Sequence, residues 1–174
     1  MKLLLAYATR KGSTRDTIEK MGERLRDKGF EITVADCDEV RDVGDYDGVV
    51  VGSGIYKGMW LPAAETFLRR FNEPLKTKPL AAFILCIRIM ESDGYEHVMT
   101  EYMPTHLLEK LNVVSLEAFA GQLIASEIEW HERWTLAIRY DGAVDPNETF
   151  NEDYRKWEKI YAWVDNIAEQ FQKA

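Results

Sequence analysis

The 174-residue chain sets 22 Lys and Arg against 30 Asp and Glu, a net charge of -8, with 46% apolar and 30% charged residues. That size suits one domain with an ample core, because a chain of about 150 residues buries about 68–70% of its unfolded surface. The acidic balance argues against nucleic acid as a partner, and no apolar run approaches the ~20 residues needed to span a bilayer. The N-terminus is a poor secretion signal, since Arg10, Lys11 and Arg15 arrive before an adequate apolar stretch. Two cysteines, Cys37 and Cys86, are too few for a disulfide framework, so reduced thiols in a cytoplasmic setting are expected.

Strand-like and helix-like segments alternate from the first residue. Residues 2–8 read as strand one, and residues 14–28 as a helix with Ile18, Met21 and Leu25 at helical spacing before Gly29. Residues 30–35 form strand two, and the wholly apolar run 48–52 reads as strand three, buried on both faces. Pro62 opens a second helix that carries Ala64, Phe67, Leu68 and Phe71 inward and ends before Pro74. Residues 80–87 give strand four. Residues 88–112 then exceed a simple connection, with a helix over about 96–111 interrupted near Pro104, and are expected to form a lid or an inserted element. Residues 113–121 make strand five, residues 140–151 a loop, and the final helix carries Trp157, Ile160, Val164, Ile167 and Phe171 on one stripe. This order predicts βαβ units around a parallel sheet covered on both faces.

Two turns at one rim of that sheet carry the chemistry. After strand one comes Thr9-Arg10-Lys11-Gly12-Ser13-Thr14, where a tight turn at Gly12 would aim the first amides of a helix, with two hydroxyls and two bases, at a phosphate. A plainer reading makes Ser13 only the cap of that helix, worth about 1 kcal/mol. The run lacks the Gly-Lys-Ser/Thr ending of a P-loop and the three spaced glycines of a dinucleotide site, so a mononucleotide fits better. After strand three, Ser53-Gly54-Ile55-Tyr56-Lys57-Gly58-Met59-Trp60 offers two glycines for close approach and two aromatic faces for a planar ring. Trp60 reads equally well as a staple for the helix that follows. Cys86, Ile87 and Arg88 end strand four at the same rim, Arg88 being placed to pair with a carboxylate or a ring carbonyl. The three histidines lack metal-ligand spacing, and no nucleophile elbow or Ser/His/Asp order occurs, so neither a zinc centre nor a hydrolase is expected.

Residues 7–14 and 51–62 resemble flavodoxin-domain proteins, and among them the menaquinone-dependent protoporphyrinogen IX dehydrogenase family. Residues 119–123 and the tryptophan-bearing last helix extend the resemblance over most of the chain. It implies a doubly wound α/β fold with a five-stranded parallel sheet in the order 2-1-3-4-5, helices on both faces and an insertion between strands four and five. It also implies noncovalent FMN, its phosphate on residues Thr9 to Thr14, its ring between Ser53 to Gly58 and Cys86 to Arg88. The flavin would carry the chemistry, so no catalytic acid, base or metal is expected of the protein. Members of the dehydrogenase branch meet membranes through basic surface, whereas this chain is acidic, with Glu91, Asp93 and Glu96 inside the insertion. The expected partner is a small-molecule or protein redox partner, with peripheral membrane contact and a homodimer as further expectations; Trp130 and Trp134 are candidate interface residues. Three uses follow: a quinone-linked oxidoreductase, an electron carrier between proteins, or an interaction module without cofactor.

Overall fold

The computed structural model describes residues 1–124, 126, 128–139 and 151–174. Strand β1 (Lys2–Ala8) is followed by α1 (Ser13–Asp27), β2 (Glu31–Asp36), β3 (Gly48–Tyr56), β4 (Met59–Trp60), α2 (Pro62–Arg70), α3 (Asn72–Leu75) and β5 (Leu80–Leu85). The second half adds α4 (Gly94–His97), α5 (Thr105–Leu108), β6 (Val113–Phe119), β7 (Gln122–Ile124), α6 (Trp130–Arg139), β8 (Asn151–Asp153) and α7 (Trp157–Lys173). The long strands lie in the order β2-β1-β3-β5-β6, all parallel, so they reproduce the expected order once the two-residue β4 is set aside.

Alternation along the strands builds two cores. Leu3, Leu5, Val50 and Phe83 face α1 and α7, meeting Ile18, Met21, Val164, Ile167 and Phe171. Leu4, Val49, Val51, Ala82 and Ile84 face the other way, onto Phe67, Leu68 and Leu75. Because successive side chains point to opposite faces, one apolar run serves both layers. Gly52 has a packing reason: a Cβ built there would lie 2.2 Å from Cζ of Phe83, so the aromatic ring occupies the space a side chain would need.

Three segments depart from the sequence expectation. Strand β3 does not end at Gly52 but continues to Tyr56 and folds back through Lys57 (φ 52°) and Gly58 (φ 79°), with Tyr56 opposite Met59 and Ile55 opposite Trp60. Positive φ at both central residues is the turn that matches the twist of a two-residue hairpin. Near Pro74 the expected single helix is two: α2 stops at Arg70, and Pro74 sits inside the short α3, where a missing amide donor costs little. Residues 88–112 do lie between β5 and β6 and do break at Met103 and Pro104, but Val98, Met103 and Leu108 are buried in the core, so the segment is a packed crossover rather than a free lid.

An element absent from the sequence expectation stands between β6 and α7, where β7 and β8 pair antiparallel and α6 lies between them. Arg155, 7% exposed, holds it down. Its guanidinium donates to both carboxylate oxygens of Asp153 at 2.8 and 2.7 Å, to Thr17 Oγ1 at 3.1 Å, to Gln122 Oε1 at 3.3 Å and to Asp16. Hydrogen bonds from Arg155 hold the Asp153 carboxyl below its ordinary range. Trp130 and Trp134 on α6 are exposed, with ring centroids 5.9 Å apart. The loop expected at 140–151 falls, apart from Asn151, outside the described residues. Among those described, no helix is long and apolar enough to cross a membrane.

Helices α1 and α7 are joined by Asp165, which accepts from Arg24 Nε at 2.8 Å and Nη2 at 2.7 Å and pairs with Lys28 at 3.0 Å. Arg24 holds the Asp165 carboxyl at about 2. A depressed carboxyl stabilises the fold above its unfolded value near 4, and that contribution disappears as pH falls through about 2. Asp165→Asn is therefore expected to lower stability slightly near neutrality and to converge with the parent as pH drops below about 4, read by urea unfolding at a series of pH values. A pH-independent difference would contradict it. Gly52→Ala is expected to cost about 1–3 kcal/mol through overpacking against Phe83, with partial recovery in Gly52→Ala/Phe83→Leu, measured the same way.

Candidate functional site

Neighbouring strands β1 and β3 pair in parallel with Ala8 opposite Ser53, so their following turns leave the sheet side by side. In the first turn Gly12 (φ 86°) is the N-cap of α1 and no side chain caps the helix. Ser13 is thus the first helical residue rather than the cap, and the amides of Ser13, Thr14 and Arg15 open the helix without backbone acceptors. Thr9 Oγ1 accepts the Gly12 amide at 2.9 Å, which commits that hydroxyl to shaping the turn. A depression of about 540 Å³ lies over this end, lined by Thr9, Arg10, Lys11, Gly12, Arg15 and Ser126. Lys11 and Arg15 place two bases at the helix N-terminus, against the sign of its dipole.

The second turn is the β3–β4 hairpin. Arg10 reaches across to it, its guanidinium carbon 3.9 Å from the Tyr56 ring centroid, and Lys57 Nζ lies 5.3 Å from the same ring. A Cβ on Gly54 would stand in ordinary contact with Thr14 Oγ1 at 3.4 Å, so the hairpin lies against the start of α1. Thr14 itself is 1% exposed and sits between the two turns, while Ser13 is half-buried. Thus the structure brings residues 9–14 together with Gly54 and Tyr56.

Other expected site residues have structural duties. Ser53 is fully buried, its hydroxyl accepting the Leu61 amide at 3.0 Å and donating to the Gly54 carbonyl at 2.7 Å; it pins the hairpin to the start of α2. Ile55 packs against the core, and Trp60, 3% exposed, is a core residue that presents no ring face. Of the two aromatics only Tyr56 is open, at 38% exposure. Cys86 follows β5 at the same rim and donates its amide to the Phe119 carbonyl at 2.9 Å, and Ile87 and Arg88 enter a short 3₁₀ turn, Ile87–Met90. Arg88 is turned onto its own segment, 2.9 Å from Glu91 and 3.6 Å from Asp93.

Sequence reasoning did not assign Arg15, Ser126 or Tyr102 to the site. Arg15 had a readable signal, a base in the first turn of a helix. Ser126 and Tyr102 had none, because each arrives from a distant segment. Tyr102 packs on the hairpin tip, with its Cε1 3.1 Å from where a Cβ on Gly58 would be, and its ring meets His97 edge-on at 4.9 Å.

Comparison with known proteins bears on the family and the fold. The Escherichia coli K12 protoporphyrinogen IX dehydrogenase [quinone] is 22% identical over 172 residues, covering 97% of this chain and 95% of that protein. An archaeal flavodoxin superposes with a TM-score of 0.60 at 12% identity, covering 99% of both chains, and Bacillus cereus flavodoxin 2 with 0.58 at 17%, again covering 99% of both. The profile of the flavodoxin domain matches residues 4–149, and with the strand order and the two adjoining turns it establishes that the chain belongs to the flavodoxin-domain family.

Proposed function

We propose that the protein is an FMN-dependent redox protein whose phosphate site is the open start of α1 and whose ring site adjoins Tyr56. The observation that carries this is the meeting of the uncapped α1 N-terminus, flanked by Arg10, Lys11 and Arg15, with the Tyr56 hairpin. The amides of residues 13–15 and the nearby bases would hold a phosphate, and Gly12 leaves the approach free of a Cβ. FMN would supply reversible one- and two-electron chemistry, which needs no acid or base from the protein. Tyr56 would lie against the ring, and Arg10 would shift from the tyrosine face toward the phosphate. Lys57 places positive charge beside the ring, which favours an anionic reduced flavin. Cys86 and Ile87 would close the opposite side, while Arg88 contributes through the shape of its turn.

The likeness to the E. coli dehydrogenase supports oxidation of a porphyrinogen-type substrate coupled to a quinone. The net charge of -8 favours a second reading, transfer of electrons to a basic protein partner, because complementary charge accelerates encounter. Purified protein is expected to be yellow, or to become so with FMN, with the absorbance bands of an oxidised flavin; a colourless protein that takes up no FMN at micromolar concentration would defeat both readings. Turnover of protoporphyrinogen with a quinone against reduction of a ferredoxin-type partner then separates them. Lys11→Ala with Arg15→Ala is expected to weaken FMN by about 1–3 kcal/mol while leaving riboflavin, which lacks the phosphate, unaffected in isothermal titration. Equal losses for both ligands would place the phosphate elsewhere.

A further inference from the structure

We propose that a second cavity, separate from the cofactor site, binds a flat aromatic carboxylate. It measures about 660 Å³ and lies where the end of β6 and the first turns of α7 face the 3₁₀ turn after β5. Small-molecule sites typically occupy ~300–1,000 Å³ and combine an apolar floor with a few placed polar groups. Here the floor is Phe119 and Trp163, whose rings meet at 5.7 Å and 70°, with Met90, 46% exposed, at the side. The indole N–H of Trp163 is spent on Ser115 Oγ at 2.8 Å, so the ring offers the cavity an apolar face and no donor.

The charge of the occupant follows from α7. Lys156 is its N-cap and Lys159 lies in its first turn, and both line the cavity on one helical stripe with Ala162 and Asn166. Two lysines at the positive end of a 17-residue helix oppose its dipole, and neither makes an ion pair among the described residues. An acid seated between them would relieve both. Glu117, on the opposite wall, keeps its negative charge while its carboxylate accepts the Ala118 amide at 2.9 Å, so the positive end of the cavity is the α7 end. The cavity therefore presents an aromatic floor with net positive charge at one end, which selects a planar ring system bearing a single carboxylate.

This site stands independently of FMN binding, and its test keeps the two apart. The full chain, with and without saturating FMN, is titrated with 2-naphthoate by isothermal calorimetry, alongside 2-naphthamide, the neutral isostere. Saturable binding of the acid is expected in both conditions, with the amide about tenfold weaker or more. Lys156→Glu with Lys159→Glu, both at exposed positions, is expected to lose a similar factor without lowering the melting temperature, and Lys110→Glu to lose none. Ala162→Trp, which fills the cavity from an exposed helical position, should abolish binding. The proposal is overturned by the absence of saturable binding at millimolar acid, by equal affinity for acid and amide, by indifference to the paired lysine reversal, or by displacement of the acid by FMN.

Discussion

Parallel backbone pairing of β1 with β3, Ala8 against Ser53, sets the two functional turns at the same height on the sheet. Everything at the rim depends on that register. Slipping it by one residue would turn every side chain of a strand to the other face, so the burial of Leu3 and Leu5 on one side and Leu4 on the other locks it. The cores thereby fix the distance between the open start of α1 and the exposed Tyr56. Arg10 spans that gap to the Tyr56 ring.

The hairpin shows how much positioning rests on backbone chemistry rather than on side chains. Lys57 and Gly58 both hold positive φ, and of the two only glycine does so without steric conflict. Tyr102 rests on the glycine from the crossover segment, and Ser53 ties the returning strand to α2. The hairpin is thus held from two sides. Such support from behind the ligand-facing groups is what keeps a binding site preorganised.

Much of this was legible in the sequence, and the reasons for the rest are physical. Strand-like runs alternating with helical periodicity marked out the sheet and its two layers, most clearly at the apolar run 48–52, because burial on both faces leaves a central strand little room for polar residues. That residues 9–14 and Tyr56 fall in two turns at one rim was legible because glycines beside polar residues after an apolar strand mark a turn. Trp60 was ambiguous, since an aromatic after a turn serves a core as readily as a ring, and the core took it. Ser53 and Arg88 look the same in sequence whether they face a ligand or their own chain; in the structure Ser53 accepts the Leu61 amide and Arg88 pairs with Glu91. The β7–β8 pair escaped notice because two three-residue strands carry almost no periodicity, and Arg155 because its partners lie up to 139 residues away in sequence.

That long reach has a consequence for how the chain is made. The inner stripe of α1, Ile18, Met21 and Leu25, is covered by α7, and Arg155 and Asp165 clamp the two helices together. During synthesis α1 can settle on β1 and β3 as these emerge, but the part of its stripe that meets α7 lacks that cover until the last helix follows. Completion of that one core, and of the Arg24–Asp165 pairing, then waits for the last helix, while the core on the other face needs nothing from it.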